Sequence, residues 1–260
     1  MSQAGHMAPG LVADWARIAA RIQSSRRIAV LFDFDGTLVK IAPRPEQVRM
    51  APQTRRVLRR LAHHPRVTIA VISGRRRSEI VRLVAVQDIR YFGLYGWETR
   101  RCSALPAAAV AALRRAQGQL SINLSSICGL WIEDKHFSLS VHLLDVSPPD
   151  QDRARRKLRT LVLPYRKSLR LIDNLRDVEI VPRCILGKGM AVQHLLAEPK
   201  LCRAFPFYFG DDLSDEPAFE AVRRGISIHV GAARPTNARY SIRGPAAVAA
   251  ILTKLMAALN

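Results

Sequence analysis

The stretch Ile28-Ala29-Val30-Leu31-Phe32-Asp33-Phe34-Asp35-Gly36-Thr37-Leu38 decides the fold. Its first five residues are uniformly apolar and read as a buried strand of the kind found inside parallel sheets. Asp33 and Asp35 follow at the strand tip, two residues apart, and Gly36 permits a tight turn. A carboxylate in that position can attack phosphorus and form an aspartyl-phosphate. A second carboxylate beside it can protonate the leaving oxygen and later activate water. The same residues also suit an ordinary solvated turn, so the choice rests on the rest of the chain.

Three later segments bear on that choice. Val71-Ile72-Ser73-Gly74-Arg75 ends another apolar run in a small hydroxyl residue, where Ser73 could donate to a phosphoryl oxygen at the start of a helix. Gly187-Lys188-Gly189 opens a helical stretch, and an ammonium there could neutralise both a nucleophile and a transferring phosphoryl group. Neither segment is distinctive alone. The third is: Phe207-Tyr208-Phe209 runs into Gly210-Asp211-Asp212-Leu213-Ser214-Asp215-Glu216. Such crowding of like charge is costly unless a cation is present, and hard oxygen ligands suit Mg²⁺. An acidic helix start accounts for Ser214, Asp215 and Glu216. It does not account for the adjacent pair Asp211-Asp212.

Around these motifs, residues 27–35, 67–72, 89–95, 205–210 and 226–230 read as short apolar strands. Residues 52–63, 76–86, 188–197, 215–223 and 245–258 read as helices, and Leu11 to Ile22 as a short amphipathic one. The alternation predicts an α/β fold, a Rossmann-like doubly wound parallel sheet, with every motif at a C-terminal strand end. Residues 1–25 read as a helical extension, and 26–101 with 185–260 as the core. Residues 102–184 differ. A strand pair around Asp134-Lys135-His136, a basic helix over 149–163 and two strands at 169–173 and 177–181 predict an inserted α+β cap domain that reads the leaving group. Pro106-Ala107-Ala108-Ala109 is read as a helix start.

Taken together, DFDGTL, SGR, GKG and GDDLSDE resemble, in order and spacing, the haloacid dehalogenase-like phosphatases. Gly93-Leu94-Tyr95-Gly96-Trp97-Glu98, Trp131-Ile132-Glu133-Asp134-Lys135 with Val141-His142, Glu179-Ile180-Val181-Pro182 and Ala238-Arg239-Tyr240 narrow the resemblance to the trehalose-6-phosphate phosphatases, over roughly residues 26 to 256. The resemblance implies a Mg²⁺-dependent phosphatase with Asp33 as nucleophile and metal ligand. It implies Asp35 as general acid/base that also ligates through its carbonyl, and Asp211 as the remaining protein ligand. Asp212 and Asp215 would orient Asp211 or hold metal-bound water. Ser73 and Lys188 would bind the phosphoryl group, joined by Arg75. Glu133, Lys135 and Glu179 would hold sugar hydroxyls, since buried polar sites reject partners that cannot hydrogen-bond back. The chain departs from the family pattern at three places: Tyr95 stands for a His, Leu144 for an Arg, and Asn174-Leu175 for a Gly-Lys. The resemblance makes trehalose 6-phosphate the first expected substrate, and these departures count against it. The alternative is the same chemistry on glucosylglycerol phosphate, sucrose phosphate or glucosylglycerate phosphate.

Composition narrows the other classes. The 260 residues are 48% hydrophobic, enough for a sizeable core without a staple. Cys102, Cys128, Cys184 and Cys202 form no CxxC pair, so reduced thiols are expected. No run approaches the roughly 20 apolar residues of a membrane span, and the N-terminal residues lack the order of a secretory signal. A cytoplasmic protein is expected. The net charge of +20 suits anionic ligands. Its arginines, however, are dispersed on helices and aromatics are only 6%, which argues for a solvated basic surface over a non-catalytic nucleic-acid-binding module. The expected partner is a small sugar phosphate, with neither nucleic acid nor membrane, acted on by a monomer.

Overall fold

The apolar run Ile28–Phe32 forms a strand with all five residues buried, as uniform hydrophobicity on both faces requires. The computed structural model describes residues 6–42, 44–100 and 105–260. In chain order the strands are β1 (His6–Met7), β2 (Ile28–Phe32), β3 (Val67–Ile72), β4 (Ile89–Phe92), β5 (Trp131–Asp134), β6 (Leu139–His142), β7 (Leu169–Asp173), β8 (Asp177–Pro182), β9 (Phe205–Gly210), β10 (Ile226–Val230), β11 (Pro235–Thr236) and β12 (Tyr240–Ile242). The helices are α1 (Trp15–Ser24), α2 (Pro52–Ala62), α3 (Arg77–Val84), α4 (Ala107–Leu124), α5 (Pro148–Val162), α6 (Lys188–Ala197), α7 (Glu216–Ala221) and α8 (Pro245–Leu259). The chain divides into two compact units, Met1–Arg100 with Gly187–Asn260, and Arg101–Leu186.

The first unit is built on a six-stranded sheet in the order β12-β10-β9-β2-β3-β4, parallel throughout. Strand alternation sorts its side chains. Ile28, Val30 and Phe32 share a core with Ile18 and Ile22 of α1, Leu58 of α2 and Leu252 of α8. Ala29 and Leu31 pack with Val192 of α6 and Phe219 of α7 on the other face. Helices thus cover both faces, the doubly wound arrangement the sequence predicts. From β2 the chain proceeds outward through β3 and β4, and the later strands extend from β9 in the other direction. The reversal lies between β2 and β9, and such switch points are where open α/β sheets bind ligands.

The second unit is a four-stranded antiparallel sheet, β5-β6-β8-β7. Leu139, Val141, Val178 and Ile180 pack against Leu113 and Leu120 of α4 and Leu158 of α5. Alternation turns Trp131, Glu133, Ser140, His142, Asp177 and Glu179 to the other face. Among the described residues no helix is long and apolar enough to cross a membrane.

Several elements differ from the sequence reading, each for a local reason. The strand expected over 89–95 stops at Phe92, because Leu94, Tyr95 and Gly96 adopt left-handed φ values of 48°, 58° and 101°. The one expected over 27–35 stops at Phe32, where the Asp33–Gly36 turn begins. The helix expected over 76–86 ends at Val84, and Ala85 caps it at φ 50°. The helix expected from Leu11 begins as a 3₁₀ turn, Leu11–Asp14, before α1. Asp14 there accepts from Arg17 and from the Tyr240 hydroxyl rather than capping α1. The 3₁₀ turn Leu213–Asp215 precedes a shorter α7. Two short features had no expectation: β12, and the two-residue pair β1–β11. Cys128, Cys184 and Cys202 are free thiols, whereas Cys102 lies outside the described residues.

Phe32 and Phe209 stack at the switch point with ring centroids 5.0 Å apart, both fully buried. Truncating either leaves a cavity directly beneath the strand ends. Phe32→Ala should lower unfolding free energy by about 3–5 kcal/mol in urea melts.

Candidate active site

Strand pairing puts the acidic motifs side by side. Asp33 follows β2 and Asp211 follows β9, and the Asp33 N–H donates to the Phe209 carbonyl at 2.8 Å. The parity of β2 continues one step beyond the strand, so Asp33 falls on the side of Ala29 and Leu31, where α6 packs. Lys188, the first residue of α6, extends its ammonium to Asp33 Oδ1 at 2.7 Å and to Asp215 Oδ1 at 2.8 Å. All three side chains are buried, as is that of Asp211. Two glycines make this crowding possible. A Cβ at Gly36, whose φ is 81°, would collide with the Asp211 carboxylate, and one at Gly210 would collide with that of Asp215.

Asp215 is fully enclosed by donors. Its Oδ1 accepts from Lys188 and from the Tyr208 hydroxyl at 2.6 Å, and its Oδ2 from the N–H groups of Asp211 and Asp212 at 3.1 and 3.0 Å. Four donors occupy its acceptor sites. Of the two roles expected for Asp215, these bonds serve orientation. Asp212 accepts from the Leu213 N–H at 2.6 Å and forms a capping box with Asp215. Arg234 steadies the same turn from outside, donating to the Asp212 carbonyl at 3.0 Å and pairing with Glu216 at 2.7 Å. Glu216 also accepts from Thr236 and the Asn237 N–H, which makes it a loop tie.

Electrostatics follows from the count. Asp33, Asp211 and Asp215 offer ligand atoms within 4.8 Å of one another, and Lys188 is the cation bonded among them. Burial, with Asp215 and Asp35 adding like charge, pushes Asp33 up to about 7 despite the pull of Lys188. Burial and the charges of Asp33 and Asp215 likewise raise Asp211. Burial opposes the charge on Lys188, but Asp215 and Asp33 together raise its pKa and keep it an ammonium. Three carboxylates against one ammonium leave an excess of two negative charges when all are ionised. A divalent cation held by oxygen ligands fits that excess.

Asp35 and Ser73 lie at the adjoining strand ends. Arg75 Nε and Nη2 donate to the two Asp35 oxygens at 2.7 and 2.9 Å, a bidentate pair, and Nη1 also pairs with Glu79. Arg75 was expected to meet the phosphoryl group; its guanidinium here holds the Asp35 carboxylate. Ser73 is buried and accepts from the Arg75 N–H at 3.1 Å, which leaves its proton available for donation. Tyr95 is buried, with its ring packed where a Cβ on Gly74 would be, and its N–H donates to the Ser73 carbonyl at 2.8 Å.

Glu133, Lys135 and Glu179 come together within the second unit. Lys135 pairs with Glu179 and lies 3.9 Å from Glu133. Burial raises Glu179 against the pull of Lys135 and of the Ser138 hydroxyl. A lone His on an apolar strand, as His142 is beside Val141 and Leu143, reads from sequence as a core residue; it instead bonds through Nε2 to Glu133 Oε2 at 2.9 Å. Sequence reasoning also missed Tyr208 and Arg234. Tyr208 occurs in an apolar strand with nothing to mark its hydroxyl, and Arg234 is one of many arginines.

The shifts carry a sign that can be measured. Asp33 and Asp211 hold protons more tightly folded than unfolded. Without a cation, the contribution of Asp33 to stability is therefore present below about pH 4 and is lost as pH rises through about 7, and that of Asp211 is likewise lost as pH rises. A bound dication must displace those protons. Adding Mg²⁺ should raise the melting temperature more at about pH 8 than at about pH 5. An equal rise at both would show that the ion does not bind these carboxylates.

Comparison with known proteins agrees with this geometry. The trehalose-phosphatase family model matches residues 31–246. The chain is 29% identical to trehalose 6-phosphate phosphatase RA3 of Zea mays, over 95% of this chain and 74% of that protein. It is 30% identical to probable trehalose-phosphate phosphatase 2 of Oryza sativa subsp. japonica, over 88% of this chain and 68% of that one. The C-terminal domain of a C. albicans trehalose-6-phosphate phosphatase superposes with a TM-score of 0.83, covering 97% of this chain and 99% of that one at 20% identity, which speaks for the fold. With its acidic switch point and a match over most of its length, the chain belongs to the trehalose-phosphatase family of phosphoric monoester hydrolases.

Proposed function

We propose that this protein is a Mg²⁺-dependent phosphatase that hydrolyses trehalose 6-phosphate to trehalose and phosphate through an aspartyl-phosphate on Asp33. The observation that carries the reading is the buried group of three carboxylates around Lys188 at the β2–β9 switch point. Asp33 and Asp211 would hold the cation, with the Asp35 carbonyl as the resemblance implies, and Asp212 at its margin. When bound, it supplies charge neutralisation for the phosphoryl oxygens. Asp33 attacks phosphorus and the P–O bond to the sugar breaks. Asp35 gives the leaving oxygen its proton, then takes one from the water that cleaves the acyl phosphate. Arg75 orients Asp35 for both transfers. Lys188 and Ser73 bind the phosphoryl oxygens, and Asp215 holds Lys188 in place.

Asp33→Asn removes both the nucleophile and a charge while preserving shape. Phosphate release should fall at least about a thousandfold with the fold intact by circular dichroism. Excess chelator should abolish activity in the parent protein and Mg²⁺ should restore it. Full activity in chelator would refute the metal assignment.

Residues 102–184 are the substrate-reading cap in this proposal, with Glu133, Lys135 and Glu179 meeting sugar hydroxyls. A second reading, another glycosyl phosphate, is favoured by one observation. Leu144 and Leu175, which stand where the family pattern carries cations, are 45% and 40% exposed and are thus not core replacements. A panel of trehalose, sucrose, glucosylglycerol and glucosylglycerate phosphates beside an aryl phosphate separates the readings. Glu133→Ala and Glu179→Ala should lower turnover of the true sugar phosphate by about a hundredfold or more and leave the aryl phosphate within severalfold. Equal losses on both would assign these residues to folding.

A further inference from the structure

Trp131 is the one aromatic side chain on the polar face of the second sheet's edge strand, β5, and 38% of it is exposed. The exposed part of the ring leaves an apolar surface open among carboxylates. The ring is nevertheless held in a fixed posture. His142, its direct cross-strand neighbour, stacks on one face with ring centroids 3.7 Å apart and planes within 10°. His142 is fixed in turn by its bond to Glu133, and Glu133 lies beside Lys135, which is paired with Glu179. A single chain of contacts therefore runs from the indole to the residues assigned to sugar hydroxyls.

Glu133 is two residues from Trp131 on the same face, about 7 Å along the strand, close to the width of a hexose ring. A pyranose offers an apolar C–H face and a rim of hydroxyls. The indole supplies a flat partner for the first, and the carboxylates with Lys135 supply partners for the second. Glu179, paired with Lys135, adds a buried carboxylate to the same face. The exposed Leu144 and Leu175 follow the same logic. The Leu143 N–H donates to the Arg176 carbonyl at 2.8 Å, which joins their two segments at the sheet end where His142 pairs with Asp177. That end of the face offers apolar contact where the family pattern has charge.

We propose that Trp131, backed by His142, is a stacking platform for a hexopyranose ring of the substrate, and so a specificity-determining residue. This rests on the sugar-phosphatase reading above. The platform contributes binding that is equal in the ground and transition states, so its loss appears in KM and leaves kcat largely unchanged. His142 is a positioning residue that acts through the indole.

The test uses the full chain with Mg²⁺. Trp131→Ala should raise KM for trehalose 6-phosphate about tenfold with kcat within about twofold, whereas Trp131→Phe should recover most of the loss. Hydrolysis of p-nitrophenyl phosphate should be unchanged in both variants. An unchanged KM in Trp131→Ala, in a parent enzyme that prefers the sugar phosphate, overturns the platform and leaves the function standing. Equal losses on both substrates also overturn it, in favour of a structural role. A parent enzyme with no preference for any sugar phosphate sinks the function instead. The platform is then judged by indole fluorescence. Trehalose or sucrose should change emission in the parent and not in Trp131→Phe, and no change with either sugar overturns it.

Discussion

The Lys188 ammonium, bonded to Asp33 and Asp215 and buried beside Asp211, is the interaction on which the catalytic unit depends. Carboxylates from the turn after β2 and the 3₁₀ turn after β9 share it, and it offsets the burial of their charge, since an unpaired buried carboxylate costs several kcal/mol. The surroundings follow from that requirement. Gly36 and Gly210 lack side chains because carboxylates occupy the space, and Tyr208 carries a hydroxyl because Asp215 needs a fourth donor. Replacing buried charges of this kind by well-packed apolar residues is often neutral or stabilising. The site's instability toward like charge is the property that selects a dication, and the same field then acts on a phosphoryl group. Stability and chemistry pull against each other at the tip of β2.

Much of this was legible in the chain because burial on both faces leaves a plain signature. A run such as Ile28–Phe32 has few other uses, and acids after two such runs imply adjacency if the runs pair. Pairing itself is not written locally. Only the register of Phe32 opposite Phe209 brings Asp33 and Asp211 together, and the resemblance rather than periodicity supplied that. Hydrogen-bond assignments were still less accessible. Nothing in the residue types distinguishes Asp215, fully committed to four donors, from Asp212 at the edge of the turn. Nothing in the sequence shows that the Arg75 guanidinium pairs with the Asp35 carboxylate. Backbone strain was invisible too: Leu94 and Tyr95 take left-handed conformations that favour glycine, and their sequence reads as a strand.

The second unit was legible for a different reason. Alternation over β6 and β8 separates Val141, Val178 and Ile180 from His142, Asp177 and Glu179, so a half-buried antiparallel sheet was apparent. Cross-strand partners on the polar face were not. His142 looked like a core histidine because apolar residues precede and follow it. Its real environment comes from Trp131 across the strand and Glu133 on the diagonal. A single strand's sequence does not reveal its neighbour's side chains.

The two units therefore meet different physical demands. In the first, chemistry depends on charges held away from water. Asp33, Asp35 and Lys188 there are each secured by a partner of opposite charge, and a change such as Asp to Asn removes one side of such a pair. In the second, the recognition proposed above rests on hydrogen-bond satisfaction and ring contact, each worth about 1–2 kcal/mol. Such terms can be exchanged one for another. Leu144 and Leu175 stand where the family pattern has cations, whereas Trp131 keeps that pattern. A chain can thus keep Asp33, Asp35, Lys188 and Asp211 unchanged while its polar sheet face drifts from one glycosyl phosphate toward another. The departures from the family pattern in this sequence fall at Tyr95, Leu144 and Asn174-Leu175, and two of the three are on the exchangeable side of that division.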